Sequence, residues 1–156
     1  EEMVVICTET IEAFIKKNKG ENLYFRLHYS GDFMSADYTR AWAEVMKKYP
    51  AVQFWAYTRS YWFAKYLRDI PNLTLFFSVD PVNAELAIAV YELHKDQKNF
   101  GLAWMGNTPP EGRRWVTCPE ISGKVKNTKE RGACGKCRLC VDNYVDRVKN
   151  IHFPIH

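Results

Sequence analysis

The sequence predicts an α/β protein: a parallel, four-stranded βα-repeat sheet, half-barrel-like, followed by an irregular Cys-rich C-terminal segment. Three observations predict it. Strand-like apolar runs alternate with amphipathic helical runs through the first two-thirds of the chain. The strand-like runs are almost continuously apolar, as expected when both faces of a parallel sheet are covered. From about residue 107 the texture changes to "NTPPEGRRW" and then to a Gly-, Lys- and Cys-rich stretch, which leaves no space for another βα unit.

Each element follows from local signals. The opening "EEMVVICTETIEAFIKKN" reads as a helix. "LYFRLHYSGDF" (23–33) reads as a first strand that breaks at Gly31. Ser35 is placed to cap "ADYTRAWAEVMKKY", in which Trp42, Val45, Met46 and Tyr49 recur at helical spacing and Pro50 lies just past the end. "AVQFWAYT" (51–58) is a second strand. Ser60 then caps "YWFAKYLRDI", which stops before Pro71. "NLTLFFSV" (72–79) is a third strand. Asp80 serves as N-cap of the next helix with Pro81 at its first position, and Val82, Leu86, Val90 and Leu93 form one apolar stripe. "FGLAWMG" (100–106) is a fourth strand. A short helix, "VDNYVDRVKN", and "IHFPIH" end the chain. Helices linking parallel strands make right-handed crossovers. Four repeats suit an open sheet or half of a (β/α) barrel and cannot close an eight-stranded one.

The 156 residues suit one domain over 1–156, with an α/β body at 1–106 and a Cys-rich segment and tail at 107–156. Apolar residues make up 47% of the chain, which excludes a disordered protein. No apolar run reaches the roughly 18 residues of a membrane span, so no membrane partner is expected. No basic-then-apolar leader opens the chain, so secretion is not expected either. "ENLYFR" at 21–26 looks like a protease-tag site, but it runs straight into a strand pattern and reads as native sequence. The net charge of +4 is compatible with nucleic acid without requiring it. Arg113, Arg114, Lys124, Lys126, Lys129, Arg131, Lys136 and Arg138 flank the cysteines, either as a solvated loop or as an anion-facing patch.

Cys118, Cys134, Cys137 and Cys140 give C-x15-C-x2-C-x2-C. Four thiolates in one irregular segment is the count for zinc or for an iron–sulfur cluster. Disulfides are rare in the reducing compartments where alternating α/β proteins abound. Structural zinc usually draws two cysteines from each of two knuckles, whereas here the split is three plus one. Three closely spaced cysteines and a remote fourth followed by proline (Pro119 here) is the way a ferredoxin-type run holds a [4Fe–4S] cube. Gly132 and Gly135 permit backbone turns around it. Cys7 is left over and reads as a small buried hydrophobe.

Parallel α/β folds bind ligands beyond the carboxyl ends of their strands. Those ends carry His28, Ser30, Gly31 and Asp32, then Tyr57, Thr58 and Arg59, then Ser78 and Asp80, then Trp104 and Gly106. His28, Asp32, Arg59 and Asp80 are therefore candidate ligand-binding residues. Their bland explanations are that Asp80 caps a helix and Asp32 bonds turn amides. No dinucleotide fingerprint, Walker loop, zinc-protease helix or nucleophile elbow occurs.

"RLHYSGDFMSADYTRAWAEVMKKYPAVQFWAYTRS", "FFSVD" and "TCPEISGKVKNTKERGACGKCRLC" together resemble the bacteriophage "gene product 88" domain family, over most of the chain from about residue 23. The resemblance implies a phage-, prophage- or plasmid-encoded protein of undefined biochemical role, working in the host-cell cytoplasm. The strand-end "SGDF" and the parallel architecture are also similar to radical S-adenosylmethionine enzymes. The C-x3-C-x2-C of that larger group, which leaves one iron open, is absent here. Four cysteines fill all four irons, which suits electron transfer, sensing or structure better than open-site catalysis. The leading expectation is thus a [4Fe–4S] protein with a structural or redox cluster. The alternatives are an enzyme using the strand-end rim and a zinc-stabilised nucleic-acid-binding module. Partners in view are a redox protein or nucleic acid.

Overall fold

The computed structural model describes residues 1–126, 132–141 and 150–155. Helix α1 (Glu2–Lys17) leads into β1 (Tyr24–Arg26), then α2 (Ala36–Lys48), β2 (Gln53–Thr58), a 3-10 turn (Tyr61–Leu67), β3 (Leu73–Val79), α3 (Ala84–Leu93) and β4 (Phe100–Met105). The Cys-rich region adds β5 (Val116–Thr117), α4 (Gly132–Cys137) and β6 (Asn150–Phe153). The sheet has six strands in the order β1-β2-β3-β4-β6-β5. Every pairing in it is parallel, and it curls as a half-barrel.

The four-strand expectation is therefore corrected. The late region does not fold apart from the sheet. It adds two short strands beyond β4, β6 pairing with β4 and β5 with β6, both lacking the long apolar run that marks the others. The expected helix over 141–150 lies, from residue 142 to 149, outside the described residues. The first strand is also shorter than the 23–33 run. His28 takes a left-handed φ of 56° and Gly31 one of 85°, so the backbone leaves the ladder after Arg26.

Helix α2 starts as its cap predicts. Ser35 is extended (φ −156°), and its Oγ accepts the Tyr38 amide at 3.1 Å. Asp37 in the first turn and Lys47 and Lys48 in the last suit the helix dipole. Trp42, Val45 and Met46 are buried as the spacing implies. Ser60, by contrast, makes no side-chain cap bond, and "YWFAKYL" winds as a 3-10 turn. The start of α3 is likewise later than expected. Asp80 Oδ1 accepts the amides of Val82 and Asn83 (2.8 and 3.0 Å), so it closes a turn, and the helix proper begins at Ala84. The expected α3 stripe is overturned: Val82 is 96% and Leu93 76% exposed, while Ala87 and Tyr91 are the buried pair. Tyr91 lies edge-on to Phe77, 6.0 Å between centroids. One large aromatic thus fixes the helix rotation against the sheet.

Side chains alternate across the strands, which divides the molecule into two layers. Leu73, Leu75, Phe77 and Val79 of β3 join Phe54, Leu102, Trp104 and the helices α1, α2 and α3 in the main core. Phe76, Ala103 and Ile151 point to the other face, where Leu139, Cys140 and Cys118 cover them. Fully burying a side chain such as Phe76 contributes roughly 1.5–3 kcal/mol. The cysteine segment is thus the lid of the sheet's second face, and that places it above the strand ends.

Candidate functional site

The lid and the strand ends enclose a cavity of about 560 Å³. That size falls in the range of small-molecule sites, roughly 300–1,000 Å³. Cys118, Cys134, Cys137 and Cys140 line one side of it, and Arg26, His28, Tyr29 and Asp32 another. The two sets of residues read separately from the sequence therefore share one chamber. Arg59 also lines it, while Asp80 stands behind as the partner of Arg59.

Each cysteine is positioned by a different device. Cys118 follows β5, and its amide donates to the His152 carbonyl of β6 at 2.8 Å, which extends the ladder. Cys134 and Cys137 ride on α4. Cys140 lies in the turn beyond Arg138, whose left-handed φ of 59° ends the helix. The turn is pinned from below, since the Val141 amide bonds the Arg138 carbonyl and Thr74 Oγ1 reaches the Val141 carbonyl.

All five cysteines are free thiols. Burial pushes the Cys140 thiol up to about 12; the hydroxyl of Tyr57 opposes that shift, and the charges of Cys134, Cys118 and Cys137 add to it. Cys134 is raised by burial, then by Glu120 and Cys118, with Arg26 pulling the other way. Cys134 and Cys140, whose ionisation burial and the neighbouring thiols oppose, are donors that a cationic cofactor would relieve. Their spacing sets a limit. Among the described residues, no three His, Cys, Asp or Glu side chains come close enough to hold one metal ion. Cys7 is buried in the α1 layer, apart from them, and burial raises it too.

The rim residues are largely occupied with one another. Asp32 Oδ1 accepts Thr58 Oγ1 (2.6 Å) and the Phe33 amide (2.7 Å). Its Oδ2 accepts the amides of Arg59 (2.6 Å) and Ser60 (3.2 Å). Arg59 Nη2 reaches Asp80 Oδ2 at 2.6 Å. The three residues do converge on one rim, as their strand-end positions predict. Their polar atoms tie the loops together, as the bland explanations have it. His28 Nε2 pairs with the Tyr38 hydroxyl at 3.0 Å, and its Nδ1 has no partner. Burial lowers its pKa, and Asp32 raises it less.

Sequence reasoning missed Arg26, Tyr29 and Glu120. The signal for Arg26 was there: a lone cation inside the apolar run "LYFRL". Of the basic residues that flank the cysteines, Arg114, Lys124, Lys126, Lys136 and Arg138 are exposed. Arg113 pairs with Glu92 and lies over the Tyr91 ring, and Arg138 lies 5.3 Å from the Tyr24 centroid. Lys129 and Arg131 fall outside the described residues. No helix among the described residues is long and apolar enough to cross a membrane.

Comparison with known proteins gives a consistent kinship. A family model described as Gene product 88 matches residues 1–143. The "Gene 88 protein" of Mycobacterium phage L5 is 36% identical over 149 residues, covering 89% of this chain and 60% of the relative. The protein of the same name from Mycobacterium phage D29 is 36% identical over 151 residues, with the same coverage. The chain thus spans about 60% of the length of these relatives. No solved structure matches it.

Proposed function

The chain belongs to the gene product 88 family, and from that premise we propose that it binds one [4Fe–4S] cluster through Cys118, Cys134, Cys137 and Cys140. The observation that carries the reading is that these four thiols line a single cavity. Cys7, the thiol outside the spacing pattern, lies elsewhere. The three-plus-one spacing of the cysteines favours a cluster over one zinc ion, whose structural sites usually draw two cysteines from each of two knuckles.

A bound cluster would supply a one-electron carrier. The chain supplies the rest. The lid residues Leu139 and Cys140 pack on Phe76 and Ile151 and keep that wall dry. Tyr57 and Cys140 line the same cavity, and the Tyr57 hydroxyl opposes the rise of the Cys140 pKa; a hydroxyl beside a cluster sulfur is of the kind that tunes cluster potentials. Host-cytoplasmic electron transfer or structural support is the role proposed for it. A second reading, a small-molecule site beside the cysteines, is favoured by the cavity volume and by the approach of His28 and Ser30 to the same space.

Anaerobic purification followed by iron, sulfide and zinc analysis tests the first reading. A brown protein with about four irons and four sulfides per chain is the expected result, by the cube's stoichiometry. A colourless zinc protein would sink it. Cys118→Ala and Cys137→Ala should each lower the iron content to a similar degree, and Cys7→Ser should leave it unchanged.

A further inference from the structure

Arg26 is the last residue of β1 and the one cation in that strand. Alternation along the strand puts Phe25 in the helical core and sends Arg26 to the opposite face, with the cysteines. Its guanidinium carbon lies 5.2 Å from the ring centre of Tyr57 and 5.9 Å from that of Tyr29. The ring of Tyr57 attracts the guanidinium to this wall, while Tyr29 is itself 93% exposed and adds less. Tyr57 lines the cavity together with Cys140. The ion pairs among the described residues use Arg40, Arg59, Arg68 and Arg113 and leave Arg26 out. Glu120, a carboxylate lining the same cavity, acts on Cys134 in the opposite sense to Arg26. A positive charge is therefore held, without an acidic partner among the described residues, on the wall facing four thiols.

We propose that Arg26 is the charge partner of the cluster: it faces the thiolate cage, favours the more negative reduced form, and so raises the reduction potential. The inference rests on the cluster reading above. A cube capped by four thiolates is an anion in either oxidation state and gains one further negative charge when it accepts an electron. Arg26 is exposed, so solvent and salt screen its charge in part, but a cation beside the cluster still stabilises the reduced form more than the oxidised one. The step is electron uptake alone. No bond forms or breaks, and the donor in the test is dithionite.

The experiment is a redox titration of the anaerobically reconstituted full chain, with dithionite as reductant and visible absorbance as readout. Wild type is assayed first for iron and sulfide. A wild-type protein that binds no cluster removes both the cluster reading and this one before any variant is made. With the cluster present, Arg26→Gln should keep the wild-type iron content and show a midpoint shifted to more negative potential. Arg26→Lys should restore most of the shift, and raised salt should narrow the gap between Arg26→Gln and wild type. Arg26→Gln that loses iron while Arg26→Lys keeps it also supports the charge role. An unchanged midpoint in Arg26→Gln overturns the proposal. Loss of iron in both variants overturns it too, because the guanidinium would then matter as packing on Tyr57 and Tyr29 and not as a charge.

Discussion

Asp32 shows how a residue can be located correctly from sequence while its work stays hidden. Its position past a strand end was legible; its four hydrogen bonds to Phe33, Thr58, Arg59 and Ser60 were not, because the donors lie up to 28 positions away. With both oxygens engaged on the chain, Asp32→Ala should lower stability by roughly 2–4 kcal/mol in urea unfolding, since bonds to a charged group contribute about 1.5–3 kcal/mol each and do not add fully. An unchanged midpoint would mean that the carboxylate is free for a ligand. Asp80 makes a pH-dependent claim. Burial alone would raise its pKa, but the amides of Asn83 and Val82 and the guanidinium of Arg59 outweigh it and hold the carboxyl below its ordinary value. A depressed carboxyl pKa contributes stability that is complete above the unfolded value, about 3.9, and is lost as pH falls through the folded value. Asp80→Asn should therefore flatten stability against pH below about 4. An acid limb as steep as wild type's would place that dependence on other groups.

At the scale of elements, the helix α2, with its Ser35 cap, and the strands β2, β3 and β4 were legible because cap, period and terminating proline agree. Three elements were not. β1 is short because His28 turns left-handed, and histidine gives little advance sign of that. The α3 stripe failed because three of its four aliphatic side chains, Val82, Leu86 and Leu93, are exposed, while Ala87 and Tyr91 take the inward face and Val90 packs beside them. Strands β5 and β6 are two and four residues long, too short to carry a period; β6 forms on the open parallel edge of β4, and β5 on that of β6. The α3 result has a direct test. Val82→Ser and Leu93→Ser should each change stability by less than about 0.5 kcal/mol, as exposed sites do. Tyr91→Ala should cost roughly 3–5 kcal/mol, as loss of a buried aromatic does. Thermal or urea unfolding checks both, and a large loss in Leu93→Ser would restore the stripe to the core.

At the scale of the whole molecule, the cysteine segment is bracketed by strands, and that couples the candidate site to the sheet. The chain leaves β5 just before Cys118 and comes back as β6, which lies between β4 and β5. β5 stands at the sheet edge with β6 as its neighbour, and the Cys118 amide bonds the β6 carbonyl of His152. Ile151 of β6 also forms part of the apolar floor on which Leu139 and Cys140 rest. Removing β6 therefore removes the ladder that places the remote cysteine and one of the three buried residues that seat the near ones. The body can survive this, since α1, α2, α3 and the strands β1 to β4 share a separate core. We therefore expect a chain ending at residue 149 to keep its α/β circular dichroism but to load far less iron than the full chain, although all four cysteines remain. The lid would lose order with the metal, because it has few apolar contacts to offset a backbone ordering cost of roughly 1–2 kcal/mol per residue. In the full chain, stripping the metal should likewise speed hydrogen exchange over 115–126 and 132–141 while β2, β3 and β4 stay protected. Full iron loading in the truncated chain would show that the cysteines find their geometry without the sheet, and the half-barrel would then be a platform for the cavity's other wall and not for the metal.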